Sequence, residues 1–312
     1  MKIAVLIPCY NEALTIEKVV KDFSHQLPDA SIYVYDNNST DNTYEIAKAM
    51  NVTVVKEPRQ GKGNVVRSML KDIDADIYIL VDGDNTYPAE NVHAMMKPVL
   101  EKDADIVIGD RLSNGSYLSE NKRAFHNFGN SLVKRLINRL FKSDLKDIMS
   151  GYRVLNRYFA KTFPILSKGF EIETEMSIYS LHNSYKLIEI PIDYRDRPDG
   201  SVSKLNTYKD GFKVIKIIFW LFKDFKPLIF FSYASLFLVL LGVAIGIPVI
   251  LEFLRTGYIE RIPSAILSAA LEIIAMLLFA CGLILDTTVK HQKTLHEQLS
   301  ILFTVMDKRD NH

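Results

Sequence analysis

With 312 residues, 48% of them hydrophobic and 24% charged, the chain can build a large core, which excludes intrinsic disorder as its description. Its 38 lysines and arginines against 37 acids leave a net charge of +1. No global field therefore draws it to nucleic acid or another polyanion, and charge-driven function has to be local.

Met1 and Lys2 lead into a short apolar run that stops at Pro8, too short for the core of a signal peptide, so the N-terminal part is expected in the cytoplasm. From residue 1 to 110, β-rich runs alternate with helical patterns: IAVLI (3–7), IYVY (32–35), VTVV (52–55), IYILV (77–81) and DIVIG (105–109). That alternation predicts an α/β domain with a mostly parallel sheet covered on both faces. Polar clusters follow four of the runs, at 8–12, 36–41, 82–84 and 109–111, and ligands in such sheets bind beyond the strands' carboxyl ends. Residues 112–200 are less regular. They hold a basic helical stretch (122–142), a turn-like SGYR (150–153), an acidic helix start FEIETEM (170–176) and a strand LIEIPI (187–192).

Beyond a basic loop, RPDGSVSK (197–204), residues 211–227 mix Lys213, Lys216, Lys223 and Lys226 with Phe, Ile, Leu and Trp220, the composition of a helix lying at a lipid surface. Residues 228–251 carry no charge, and 262–285 carry only Glu272. Both are long enough to cross a bilayer as helices. Lysines gather on the outer flanks while Arg255 and Arg261 lie in the connection, so the positive-inside rule puts both termini in the cytoplasm. Gly242 and Gly246 form a GxxxG packing signal that would permit a homo-oligomer, and Glu272, costly in lipid, should face a helix partner or cavity. The tail, 286–312, has leucines at helical spacing and is read as extending the second span. The two cysteines, Cys9 and Cys281, fall in a soluble core and a membrane span and are not expected to pair, which suits a reducing compartment.

Within the predicted pocket the densest signal is Asp82-Gly83-Asp84. Two carboxylates at the end of a buried strand repel unless a cation sits between them, and hard oxygen donors suit Mg2+ or Mn2+ with phosphate oxygens and water completing the shell. Asp82 could instead bond a ribose or water while Asp84 alone holds the ion. Asp36 and the following Asn-Asn-Ser-Thr-Asp read equally as an Asx-turn with a helix cap and as a base or ribose recognition element. Gly61-Lys62-Gly63 is either a phosphate contact or a glycine-flanked helix start. Glu171, Glu173 and Glu175 include a candidate base, or are ordinary partners of a helix dipole.

Taken in order, PCYNE (8–12), DNNSTD (36–41), GKG (61–63), DGD (82–84), GDR (109–111), SGYR (150–153) and RPDGSVSK (197–204) resemble the polyprenyl-phosphate glycosyltransferases, including dolichol-phosphate mannose synthases and bacterial undecaprenyl-phosphate sugar synthases with two C-terminal spans. The resemblance covers about 1–285. It implies a GT-A, Rossmann-like catalytic domain over 1–210, an interfacial helix over 211–227, a transmembrane hairpin (228–251 and 262–285) and a cytoplasmic tail (286–312), at the plasma membrane. It also implies a nucleotide cradle of Pro8, Tyr10, Glu12 and Asp36, joined by Lys62 and Asp82. Metal and diphosphate would fall to Asp82 and Asp84, and the acceptor phosphate to Arg111 and Arg123. Arg197, Ser203 and Lys204 match the family's phosphate-closing loop.

The implied reaction is inverting transfer of a hexose from a nucleotide sugar to polyisoprenyl (undecaprenyl) phosphate, for cell-envelope glycan modification. Thr86 stands where mannose synthases often carry Gln, which turns the expected donor toward UDP-glucose or UDP-N-acetylglucosamine, with GDP-mannose as the alternative. A membrane-anchored glycan transferase and a non-catalytic scaffold are the competing classes.

Overall fold

The computed structural model describes residues 1–114, 124–198, 216, 219–220 and 223–310. It divides into two compact units, Met1–Val214 and Ile215–His312.

The first unit is built on a seven-stranded sheet of order β3-β2-β1-β4-β6-β5-β7. Its strands are β1 (Ile3–Cys9), β2 (Ser31–Asp36), β3 (Thr53–Lys56), β4 (Ile77–Leu80), β5 (Ile106–Asp110), β6 (Arg153–Asn156) and β7 (Leu187–Pro191). Six coincide with the apolar runs of the sequence and share one direction, whereas β6 runs antiparallel between β4 and β5. The sheet is therefore mixed and mostly parallel, as the alternating pattern predicts. Strand β6 corrects the reading of SGYR as a turn alone: its last residue, Arg153, opens a buried strand.

Side chains alternate across the sheet because successive Cβ atoms point to opposite faces. Val5 and Ile7 enter a core shared with helix α1 (Ile16–Gln26), while Ala4 and Leu6 enter the opposite core with helix α3 (Lys62–Asp72). Between those helices in sequence lies the short α2 (Thr43–Lys48). The remaining helices are α4 (Val92–Leu100), α5 (Ala124–Phe141), α6 (Arg157–Thr162) and α7 (Ile172–His182). Pro8, which has no N–H to give, is tolerated in central β1 because pairing with β4 ends at Leu6 opposite Leu80.

Helix α3 starts between Gly61 and Gly63, so the helix-start reading of GKG holds. Gly63 is required sterically: a Cβ there would stand 2.3 Å from the Ser167 carbonyl oxygen. Just before it, the β3 to α3 connection is braced by Glu57. Its carboxylate accepts from Arg59 N at 2.9 Å and Arg59 Nε at 2.8 Å, and from the Ser68 hydroxyl. Bonds from Arg59 outweigh the opposing effect of burial and, with Ser68, pull the Glu57 pKa down to about 2.

In the second unit, α8 (Pro227–Thr256) and α9 (Ile262–Asp310) form an antiparallel pair, both long and apolar enough to cross a membrane. Helix α8 runs past the expected end at 251 and stops at Gly257, in the left-handed region at φ 76°. Tail and second span are one continuous helix. Ser268 Oγ donates to Gly242 O and Ser235 Oγ to Ala275 O, each at 2.8 Å, a seam of small residues and hydroxyls of the kind that would hold two helices together in lipid. Glu272 turns its Oε1 toward Gly242, as a polar group in an apolar helix should. Of the expected interfacial helix, most of 211–223 lies outside the described residues. Cys9 is buried and Cys281 exposed, and neither is in a disulfide.

Gly63→Ala should lower stability by about 1–3 kcal/mol through overpacking against backbone, seen as a lower melting temperature of the detergent-solubilised chain. A depressed Glu57 pKa contributes stability that is present above the unfolded value of about 4.3 and lost as pH falls toward the folded value. Glu57→Gln should accordingly flatten the fall in melting temperature between pH 5 and pH 3 relative to the parent chain.

Candidate active site

Strands β1, β2, β4 and β5 all end at one edge, and the chain passes from β1 to opposite sides for β2 and β4, which places a switch point between β1 and β4. Each of the loops after β1, β2 and β4 turns through an asparagine in the left-handed region: Asn11 at φ 54°, Asn38 at 59° and Asn85 at 60°. Asparagine tolerates that conformation better than other side chains with a Cβ. The loops are tied to one another. Thr40 N donates to Asn11 Oδ1 at 2.7 Å, Glu12 N to Thr43 Oγ1 at 2.8 Å, and Thr15 Oγ1 to Gly83 O at 2.7 Å. They form a single rim.

Pro8, Tyr10, Glu12 and Asp36 stand on two neighbouring parts of that rim. Pro8 opposes Tyr35 in the β1–β2 ladder, one residue from Asp36. Tyr10 is exposed, whereas Glu12 is buried. Asp36 is only 2% exposed, accepts the N–H of Ser39, three residues on, at 3.2 Å on Oδ2, and keeps Oδ1 buried with no hydrogen-bond partner. A buried carboxylate oxygen without a donor costs free energy, and a ligand N–H or hydroxyl would relieve it. The turn reading of this cluster is met locally, with Thr43 N donating to Asp41 Oδ1 at 3.0 Å where α2 begins.

Asp82 and Asp84 follow β4 and are neutralised by different means. Lys62, at the first turn of α3, is buried between two acids, bonding Asp82 Oδ1 and reaching Glu173 Oε1 at 2.5 Å. Burial works against its ammonium, yet the two carboxylates outweigh it and hold its pKa above the ordinary lysine value. Burial pushes Glu173 up, with Lys62 opposing. Gly151 backs onto the same pair, since a Cβ there would lie 2.4 Å from Asp82 Oδ2. Asp84 accepts Thr86 Oγ1 at 2.6 Å and Thr86 N at 3.2 Å on Oδ1, and Arg197 NH2 at 2.6 Å on Oδ2.

Among the basic candidates, Arg111 is held by Asp147, with Nε to Oδ2 at 2.6 Å and NH2 to Oδ1 at 2.9 Å, and its guanidinium lies 5.6 Å from the centre of the Tyr194 ring. Burial would raise the Asp147 pKa, but Arg111 pulls it below the usual carboxylate range. Arg123, Ser203 and Lys204 lie outside the described residues. Of the three acids at α7, Glu175 is committed to structure, accepting Leu166 N and Ser167 N at 2.9 Å each. Glu173 is committed to Lys62, which leaves Glu171 as the one of the three that is partly exposed.

Sequence reading missed Glu173 and Asp147 as partners of Lys62 and Arg111. Their only signal is that a cation at a buried position needs an acid, and burial of Lys62 and Arg111 was not visible in the pattern. A metal fits the chemistry of the rim. Asp82 and Asp84 are oxygen donors on one short loop, and among the described residues no cluster of three or more potential ligands forms a closed protein cage. Two carboxylates with the rest of the shell left to phosphate and water is the usual arrangement for Mg2+ or Mn2+ on a phosphorylated ligand.

The model of glycosyl transferase family 2 matches residues 4–163. Glycosyltransferase AglJ of Haloferax volcanii is 32% identical over 255 residues, covering 80% of this chain and 82% of that protein. The dolichyl-phosphate hexose transferase of the same organism is 27% identical over 216 residues, 69% of this chain and 92% of that one. In fold, the chain is similar to glucosyl-3-phosphoglycerate synthase from Mycobacterium tuberculosis, solved in complex with Mn2+, UDP and phosphoglyceric acid. The TM-score is 0.58 at 21% identity, over 71% of this chain and 78% of that one, a likeness of fold alone. A GT-A-like mixed sheet, a rim of acids at its switch point and a family match over half the chain lead to one statement: the chain belongs to glycosyl transferase family 2.

Proposed function

We propose that the protein transfers a hexose from a nucleotide sugar to the phosphate of a polyisoprenyl lipid, with inversion at the anomeric carbon. The observation that carries this reading is the rim itself: Asp36 with an unpartnered buried oxygen and Asp82 and Asp84 beside it, all at the edge where an α/β sheet binds nucleotides. A relative named for dolichyl-phosphate hexose transfer, and two helices apolar enough to anchor the chain in a bilayer, support a lipid acceptor. UDP-glucose and UDP-N-acetylglucosamine are the donors proposed.

In this reading Asp36 accepts from the nucleoside, with Pro8, Tyr10 and Glu12 shaping the cradle. Asp84, with Asp82 beside it, would hold Mg2+ or Mn2+, which supplies positive charge to the donor's diphosphate. Lys62 and Glu173 fix the Asp82 carboxylate in place. Arg111 is positioned by Asp147 toward the acceptor phosphate, with Arg123 as its companion, and Arg197, Ser203 and Lys204 close on the phosphates. An oxygen of the lipid phosphate forms the new bond to C1 as the C1–O bond to the diphosphate breaks, and the nucleoside diphosphate leaves with the electron pair. A phosphate monoester has a second pKa near 6, so no strong general base is needed at neutral pH. That accords with the engagement of Glu173 and Glu175 elsewhere. A hairpin inserted in the bilayer would tether the chain to the membrane that carries the lipid phosphate, with both termini on the cytoplasmic side in this reading.

The purified chain in detergent, given undecaprenyl phosphate, Mg2+ or Mn2+ and each of UDP-glucose, UDP-N-acetylglucosamine and GDP-mannose in turn, should yield a lipid-linked hexose detected by mass. Asp84→Ala should lower that yield at least ~100-fold, the loss expected when charge stabilisation of a leaving group is removed. A product from GDP-mannose alone would replace the donor proposed, and no product from any donor would discard the lipid-phosphate acceptor. Glu173→Gln should leave the fold intact and reduce turnover by about 10-fold or more through a misplaced Asp82, as initial rates at saturating donor would show.

A further inference from the structure

The bridge from Arg197 to Asp84 differs from the other arginine–aspartate pair of the rim. Arg111 grips Asp147 with two side-chain nitrogens and its own backbone N–H, a forked arrangement that satisfies both partners. Arg197 reaches Asp84 through NH2 alone, at 2.6 Å, while its NH1 is buried without any hydrogen-bond partner. The unmet N–H costs on the order of 1–3 kcal/mol in this arrangement, a cost that an oxygen of an arriving phosphate would relieve. One attachment and one unmet donor set this pair apart from that of Arg111.

What could replace the guanidinium is set by charge. Asp84 is 5% exposed and Thr86 occupies its other oxygen, so Oδ2 is the position at issue. A divalent ion bound to that oxygen would be repelled by a guanidinium at hydrogen-bond distance, so the two compete for it. Arg197 is also anchored close by. Arg195 N donates to Thr86 O at 2.9 Å and Arg195 NH2 to Glu90 Oε1 at 3.0 Å, which pins the backbone two residues upstream to the same loop as Asp84.

We propose that Arg197 is an exchangeable internal counter-cation: it neutralises Asp84 in the empty protein, yields that carboxylate to the divalent ion, and transfers its guanidinium to the diphosphate arriving with the ion. The inference rests on the reading of Asp84 as the carboxylate that holds the donor's metal. It adds a coupling: because the displaced arginine finds a new anion only when nucleotide is present, nucleotide and metal each favour the other's binding by the same factor.

The test is Mn2+ binding to the full chain in detergent, followed by the electron paramagnetic resonance signal of free Mn2+, with and without UDP and with neither lipid nor sugar present. If one molecule in ten has Asp84 free of arginine, Arg197→Gln should tighten Mn2+ binding without UDP about tenfold, and the further tightening caused by UDP should be smaller than in the parent chain. Arg195→Gln removes an equal charge two residues upstream, gives up only the exposed pair with Glu90 and keeps the backbone bond from residue 195 to Thr86 O that holds the segment, and should leave Mn2+ affinity within about twofold of the parent. An Arg197→Gln chain that binds Mn2+ no more tightly than the parent, or an Arg195→Gln chain that tightens equally, would overturn the exchange. Asp84→Asn separates the two levels of the argument: Mn2+ binding that survives it removes the metal assignment and the exchange together. Loss of binding there with no Arg197 effect removes the exchange alone.

Discussion

Acids crowded at the end of a buried strand set the terms for everything around them. Asp82, partly exposed, and Asp84, buried, sit two residues apart, and their mutual repulsion has to be offset before a ligand arrives. The fold does this with two cations from distant parts of the chain, Lys62 from the first turn of α3 and Arg197 from the segment after β7. One is enclosed and shared with Glu173; the other sits at the surface of the rim and has a single attachment. The same charge problem thus receives one fixed and one exchangeable solution.

The supporting structure follows from that arrangement. Lys62 can approach Asp82 only because Gly61 and Gly63 let α3 begin against the backbone of 167–168, and because Gly151 presents no side chain to the pair. Glu175 holds 166–167 from the other side. Segments separated by a hundred residues in sequence therefore converge on one carboxylate. Arg153, fully buried, fastens the same region by donating to Ile148 O, Ser150 O and Ser177 Oγ. Burial lowers its pKa to about 10, which still leaves it charged at neutral pH.

The parallel strands and the acids that follow them were legible in the sequence, because apolar runs ending in Asp, Asn and Gly carry both the strand signal and its termination. The hairpin helices were legible from uncharged length. Strand β6 was not: RVLN has an arginine at a fully buried position, so apolar periodicity fails where a side chain pays for burial with three hydrogen bonds. Ion-pair partners were hidden for a related reason. Lys62 with Glu173, Arg111 with Asp147 and Arg197 with Asp84 are all tertiary contacts, and nothing local distinguishes Glu173 from Glu171 or Glu175.

Helix α9 is a rod of 49 residues, about 73 Å long at 1.5 Å per residue, while the hydrocarbon layer of a bilayer is about 30 Å thick. More than half of it would stand outside that layer. After Gly282 it contains neither glycine nor proline, so it has no built-in hinge. Such a rod behaves as a lever: a change of about 20° in tilt, within the range that bilayer thickness imposes on spanning helices, would sweep its far end through roughly 15 Å. Lipid composition would then register as mechanical displacement in the aqueous phase.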